Sequence, residues 1–228
     1  DFVKAEFDDG SDVPYVPPVT LNAGAEADWG ALALGAKLTR LELPSQFRCA
    51  GSDGYLAWLD SLLGIRETAN DEFDHGAFDF QVVDTATELH ERIEALNRPA
   101  NRARVVAGYC WDWNSKRNPD AWDIDIPEQG YQRQWNLGSD GSLWIIAPES
   151  VEQVGCIHTC QGLEVDYIGV IMGPDLVVRD GRFVAVPTGR SKMDRSIRGW
   201  KAAAKRDPAS LERVDRIIRN TYRTLMTR

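Results

Sequence analysis

The 228 residues contain no G-x-x-x-x-G-K-[ST] phosphate loop, so on their own they offer no cradle for a nucleoside triphosphate and its magnesium. A G-x-S-x-G nucleophile elbow is missing too, and no cysteine sits in a recognisable nucleophile setting, which removes the common serine and cysteine hydrolases. No stretch has the length and apolarity of a membrane span or the layout of a secretory leader, so the expected location is the cytoplasm. Cysteines are few: four, at positions 49, 110, 156 and 160, a scatter that reads as reduced thiols and not as a disulfide framework. Internal repeats are lacking as well. "GSDG" recurs at 51–54 and 138–141, but four residues do not make a repeat.

What is present bounds the class. With 43% hydrophobic residues and only 11 prolines, the chain can bury a core and is not a disordered segment. Its length suits one large domain, or one domain with a substantial insertion. The formal charge of −9 argues against a general nucleic-acid coat protein, yet arginines cluster in the last third and leave room for a local basic groove. The chain begins at Asp1 without an initiator methionine and stops at Arg228 inside a helical pattern, as expected of a piece of a longer protein.

Periodicity organises the rest. Residues 1–37 show no sustained pattern and read as an irregular arm, with "RLEL" (40–43) a short strand candidate. "SDGYLAWLDSLLG" (52–64) predicts a helix capped by Ser52 or Asp53, lined by Tyr55, Leu59 and Leu62 and ended by Gly64. "FDFQVVD" (78–84) alternates like a strand. "TATELHERIEALN" (85–97) opens with a capping box, Thr85 with Glu88, and should bury Leu89, Ile93 and Leu96. "RARVVAGYC" (102–110), "SLWIIAPE" (142–149) and "DYIGVI" (166–171) are apolar runs typical of a parallel sheet covered on both faces. "LVVRDGRFVAV" (176–186) signals a hairpin through Asp-Gly. "DPASLERVDRIIRNTYRTLMT" (207–227) predicts a closing helix with Asp207 as N-cap, Pro208 at its first position and Leu211, Val214, Ile218 and Leu225 as its apolar stripe. Strands alternating with helices imply an α/β domain with a mostly parallel sheet.

Three clusters could carry chemistry. Cys156, His158 and Cys160 alternate, so on a strand they share a face. There the two thiols stand roughly 13 Å apart, too far for zinc–sulfur bonds of about 2.3 Å to bridge; no metal site is expected. Taken alone, His158 reads as a hydrogen-bonded structural histidine. The segment 111–141 interrupts the strand–helix rhythm and holds Trp111, Trp113, Trp122 and Trp135, either as a packed insertion or as stacking platforms for single-stranded bases; its few lysines and arginines favour packing. Asp120, Asp123 and Asp125 are the carboxylates a nuclease or hydrolase would need, but they fall in a loop pattern, where acidic residues are commonly just solvated.

In order along the chain, "LPSQFRCAGSDGYLAWL" (43–59), "IHTCQGLEVDYIGVI" (157–171) and "NTYRTLMTR" (220–228) resemble motifs IV, V and VI of superfamily 1 helicases. Together with "GYCWDW" (108–113) they are most similar to a bacterial family of helicase-like P-loop ATPases with a Schlafen-type DNA/RNA helicase domain. The resemblance covers roughly residues 38–228. It implies a second RecA-like domain, with the insertion at about 111–141, whose partner is an N-terminal RecA-like domain that brings the phosphate loop and binds ATP and Mg²⁺.

The same resemblance implies roles residue by residue. Arg48 and Arg228 match the arginines that stabilise charge on the transferring phosphoryl group, an effect worth about 10³- to 10⁵-fold in rate in nucleotide hydrolases. A fixed, always-charged fork suits that task better than lysine. Glu164 matches the glutamate that bonds the nucleotide ribose, Gly162 allows close backbone approach, and Arg223 belongs partly to the same cleft. His158 and Thr159 match the turn that contacts a single-stranded backbone. Gln161 stands where translocating helicases commonly carry lysine. Each has a plainer reading: Arg48 salt-bridging Asp53, Glu164 capping a local turn, and Arg216, Arg219 and Arg223 forming a solvated stripe. The chain alone should hydrolyse little or no ATP. The other reading of the whole is a helicase-like fold kept as a protein-interaction or regulatory module without motor activity.

Overall fold

A computed structural model describes residues 19–28, 31–40, 53–68, 78–136, 144–160 and 164–227. The chain divides into two units, Asp1–Phe47 and Arg48–Arg228. In the first, β1 (Val19–Asp28) and β2 (Ala31–Arg40) pair antiparallel, from Val19 opposite Arg40 to Asp28 opposite Ala31. The arm expected to be irregular is thus regular over these two stretches. Its alternation is carried largely by alanine and glycine, which are weak strand formers, and so it passes unnoticed in the sequence.

The second unit is built on a parallel sheet in the order β6-β3-β7. The central strand β3 (Ala103–Ala107) is buried along its whole length. It pairs with β7 (Tyr167–Ile171), Ala103 opposite Tyr167 through Ala107 opposite Ile171, and with the two-residue β6 (Val154–Gly155). Alternate residues of β3 serve different cores, as the pleat demands. Val106 joins Tyr55, Leu59, Leu63, Val214, Ile218, Tyr222 and Leu225 from helices α1 (Asp53–Leu62) and α4 (Ser210–Leu225). Ala103, Val105 and Ala107 instead meet Ile93 of helix α2 (Ala86–Asn97) and the aromatic residues Tyr109, Trp113, Tyr131 and Trp135. The result is an α/β domain with helices on both faces of a parallel sheet.

Gly169 lets α2 lie close to that sheet. A Cβ there would sit 2.8 Å from Ile93 and 3.1 Å from Leu89. Thr85 caps α2 as its capping box predicts, its hydroxyl accepting from the Glu88 amide at 3.1 Å. The short hairpin β4 (Ile124–Ile126) and β5 (Tyr131–Arg133) adds a second cap: Gln129, in its connecting turn, accepts from the Ala86 amide at 2.7 Å. The tryptophan-rich segment is therefore a packed part of one core, with Trp135 and Trp113 buried and Trp122 half exposed. Hairpin β8 (Leu176–Arg179) and β9 (Arg182–Ala185) turns through Asp180 and Gly181, both at positive φ, as Asp-Gly signals. A short helix, α3 (Trp200–Arg206), precedes α4.

Several expectations need correction. "FDFQVVD" is not a strand, and Val82 is 84% exposed. No strand forms over 144–149 either; the chain turns there and enters a 3-10 segment, Pro148–Glu152. The cause lies in Arg104, which is fully buried and donates to the carbonyls of Ile145 and Ala147, while Asn101 donates to that of Ile146 at 2.9 Å. Side chains have taken the acceptors that a sheet ladder would use. Asn97 and Ser150 complete the guanidinium's partners, at 2.8 and 2.9 Å, and burial lowers its pKa. Cys156, His158 and Cys160 lie on a turn closed by Cys160 N–H to Cys156 O at 3.1 Å, so they do not alternate along a strand. Leu96 and Leu211 are exposed at 41% and 42%, whereas α2 buries His90 and Asn97.

Removing the Arg104 guanidinium leaves buried acceptors without donors. Arg104→Leu should destabilise the chain by about 3 kcal/mol in urea unfolding, and amide exchange should accelerate first over 144–153. An unchanged midpoint would mean that the turn does not depend on this side chain.

His90 gives a pH prediction. Its Nε2 lies 2.9 Å from the Val151 carbonyl, which can only accept, so Nε2 carries the proton and Nδ1 accepts from the Tyr131 hydroxyl at 2.7 Å. Burial, helped by Arg133, lowers its pKa from 6.5 to about 4, against the hydrogen bond to Val151. Glu94, 3.5 Å away, would favour the charged ring but is itself one-third exposed. As pH falls the unfolded chain therefore takes up this proton first. The contribution is complete above pH 6.5, declines between 6.5 and about 4, and amounts to about 3 kcal/mol in full. His90→Gln retains an acceptor and a donor without titrating, and should flatten that part of the stability-against-pH curve.

Candidate functional site

Helices α1 and α4 meet where the motif-like segments approach one another. Tyr55, in the first turn of α1, is buried and its hydroxyl donates to the Met226 carbonyl at the end of α4, 3.0 Å away. Thr227, the next residue, is 2% exposed and donates to Thr224 O at 3.3 Å. Cys160, fully buried, belongs to the same core as Tyr55 and Met226, and Val165 packs against it. The chain just after "QFRC", the chain on either side of Gln161–Leu163 and the chain just before Arg228 are thus anchored in a single core. Arg48, Gly162, Gln161 and Arg228 themselves lie outside the described residues.

The other expected site residues have definite positions. His158 and Glu164 are exposed. Thr159 is half-buried; its hydroxyl donates to Asn136 Oδ1 at 2.6 Å and lies 3.3 Å from Cys156 Sγ. Arg223 is bound to Asp60, a 4%-exposed carboxylate in α1 that also takes Arg66 at 3.1 Å. Arg219 donates to the carbonyls of Leu63 and Phe183 and pairs with Asp215 at 2.6 Å. Of the stripe expected to be solvated, only Arg216 is exposed. Arg219 and Arg223 instead fasten α4 to α1 and to β9.

Behind this junction lies a polar network that sequence reading missed. Arg190 is 2% exposed at its side chain and contacts three partners. Nε donates to Asp175 Oδ2 at 2.6 Å, Nη1 to Asp194 Oδ2 at 2.6 Å and Nη2 to Thr221 Oγ1 at 2.7 Å. The Tyr222 hydroxyl donates to the other oxygen of Asp175 and accepts from the Gly173 amide at 2.9 Å. Burial alone would lower the Arg190 pKa, but Asp175 and Asp194 raise it. Burial, with Cys110 and Asp175, pushes the Tyr222 phenol well up, and burial with Asp175 raises the Cys110 thiol. The guanidinium is thus held charged, and the phenol and the thiol neutral. Gly108 is required beside them, since a Cβ there would fall 2.0 Å from the Tyr222 oxygen. The available signals were a "GPD" one residue beyond strand β7 and a tyrosine four residues beyond Ile218 on the apolar face of α4.

Asp123 is similarly consumed by structure. Its carboxylate accepts from Ser115 N at 2.8 Å, Ser115 Oγ at 2.6 Å and Trp135 N at 2.9 Å. Asp120 and Asp125 are exposed. Among the described residues, no group of three or more His, Cys, Asp or Glu could hold a metal, and no helix is long and apolar enough to cross a membrane.

Comparison with known proteins completes the description. The model of the family described as Schlafen group 3, DNA/RNA helicase domain, matches residues 23–228. A protein of Saccharomyces cerevisiae, the uncharacterized protein YPL245W, is 22% identical over 147 residues. That match takes in 58% of this chain and 31% of the yeast protein, so the chain corresponds to about a third of its relative. No solved structure matches.

The buried network sets an order of stabilities. Arg190→Met leaves two buried carboxylates without a counter-charge and should cost about 3–5 kcal/mol. Tyr222→Phe strands one amide and one carboxylate oxygen, at about 1–3 kcal/mol. Urea denaturation should rank them in that order; the reverse order would contradict the pairing described.

Proposed function

The chain belongs to the Schlafen group 3 DNA/RNA helicase domain family, and on that premise we propose that it is the C-terminal, RecA-like half of a nucleic-acid-linked ATP-hydrolysing protein. Its triphosphate and Mg²⁺ are held chiefly by an N-terminal phosphate-loop domain. In this reading Arg48 and Arg228 bring guanidinium charge to the transferring phosphoryl group, Glu164 bonds the ribose, and Gly162 lets the backbone come close. His158, Thr159 and Gln161 face a single strand. The observation that carries the reading is the bond from Tyr55 to Met226, which ties the helix following Arg48 to the residue two before Arg228. The burial of Cys160 in that same core supports a common edge for Gly162 and Glu164. Arginines from separate segments can then act on one phosphate, where electrostatic stabilisation is most effective.

A second reading has its own support. Arg223 is held by Asp60 and Thr159 by Asn136, so part of the motif chemistry is spent on holding the fold. That suits a helicase-like module that serves as an interaction or regulatory surface without a motor.

One experiment separates them. ATP hydrolysis by the intact protein, with its phosphate-loop domain, is measured with and without single-stranded DNA or RNA. The motor reading expects stimulation by a strand, losses in kcat of about 10³-fold for Arg48→Ala and Arg228→Ala, and a raised KM for Glu164→Ala. It also expects no hydrolysis by the 228-residue chain alone. Wild-type rates in all three variants would leave only the module.

A further inference from the structure

The stretch from Lys192 to Arg206 is strongly basic. It carries six exposed cations, Lys192, Arg195, Arg198, Lys201, Lys205 and Arg206, in a protein of net charge −9. None of them has an ion-pair partner among the described residues. The sole acidic residue within the stretch, Asp194, is buried, with one oxygen taken by Arg190 and the other accepting from the Ser196 amide at 2.7 Å. The fold has turned the only carboxylate of this stretch inward.

Buried neighbours and turns fix the backbone positions from which three of these cations project. Ser191, Asp194 and Ile197 are buried at every third position, and Lys192, Arg195 and Arg198 follow each of them outward. Successive turns hold the spacing, through Asp194 N to Ser191 O, Arg198 N to Arg195 O and Trp200 N to Ile197 O at 3.1 to 3.2 Å. Such a ladder fits a chain of regularly spaced monoanions. Crowding like charges without neutralisation is unfavourable, and a polyanion relieves it while releasing its own counterions.

We propose that residues 192–206 dock the phosphodiester backbone of a single-stranded nucleic acid. The site deepens the nucleic-acid part of the reading above and rests on that part alone, because no nucleotide is needed for it to bind.

The test measures binding of fluorescent oligo-dT and oligo-U to the whole 228-residue chain, without nucleotide, over a series of salt concentrations. Lys192→Gln, Arg195→Gln and Arg198→Gln together should weaken binding at least about 10-fold at low salt and reduce the log–log salt slope by about 2. The pair Arg213→Gln and Arg216→Gln, equally exposed on α4, should change neither. Binding of either strand supports the proposal, and the tighter one identifies the sugar accepted. Four results would overturn it: no binding by the wild-type chain, a triple variant that binds like wild type, an equal loss in the α4 pair, or displacement by polyglutamate as effective as by the oligonucleotide. The last would make the partner an acidic protein surface. Normal ATPase activity in Arg48→Ala, Arg228→Ala and Glu164→Ala would discard the motor and leave this result unaffected.

Discussion

A guanidinium cannot be taken out of water unless its charge and its donors are answered, and Arg190 is answered by three parts of the chain at once. Asp175 follows the sheet strand β7, Asp194 lies in the loop beyond hairpin β8–β9, and Thr221 belongs to α4. Tyr222 binds the far side of Asp175 and reaches the Gly173 amide beyond β7. Helix α4 therefore has a polar lock as well as an apolar face against the sheet. Hydrophobic burial is non-directional and fixes how deeply a helix lies; such a network also fixes its register. The position of the chain end at Met226 and Thr227 follows from that register.

The same economy runs through the rest of the molecule. Arg104, buried without a carboxylate, is satisfied by neutral acceptors and in doing so draws residues 145–147 out of any strand. Asp123 ties the tryptophan-rich segment to itself, and Asp60 binds two arginines between helices. Charges that read as surface features in a list of residues are internal ties here. Between Lys192 and Arg206 every exposed charge is basic, because the one carboxylate of that stretch has been drawn inward.

Much of the fold was legible where local rules and burial agreed. Thr85 with Glu88 marked the start of α2, Asp180-Gly181 marked the turn between β8 and β9, and the apolar run 105–107 marked the central strand. The run at 144–149 misled because apolar composition says nothing about where carbonyls find donors, and Arg104 supplied one to Ile145 from 41 positions earlier in the chain. The candidate site was legible in part. The order of its motif-like segments pointed to a helicase-like domain, while the occupation of Arg223 by Asp60 depends on a contact 163 residues away in sequence.

By itself the sequence determined the class of the domain, the family to which it belongs, helices α1, α2 and α4 and strands β3, β7, β8 and β9. These depend on periodicities and caps that act within a few residues. Tertiary structure alone decided which polar side chains were consumed as ties and which remained free at the surface. That choice depends on distances between segments far apart in the chain, and on the high cost of leaving a buried charge unanswered.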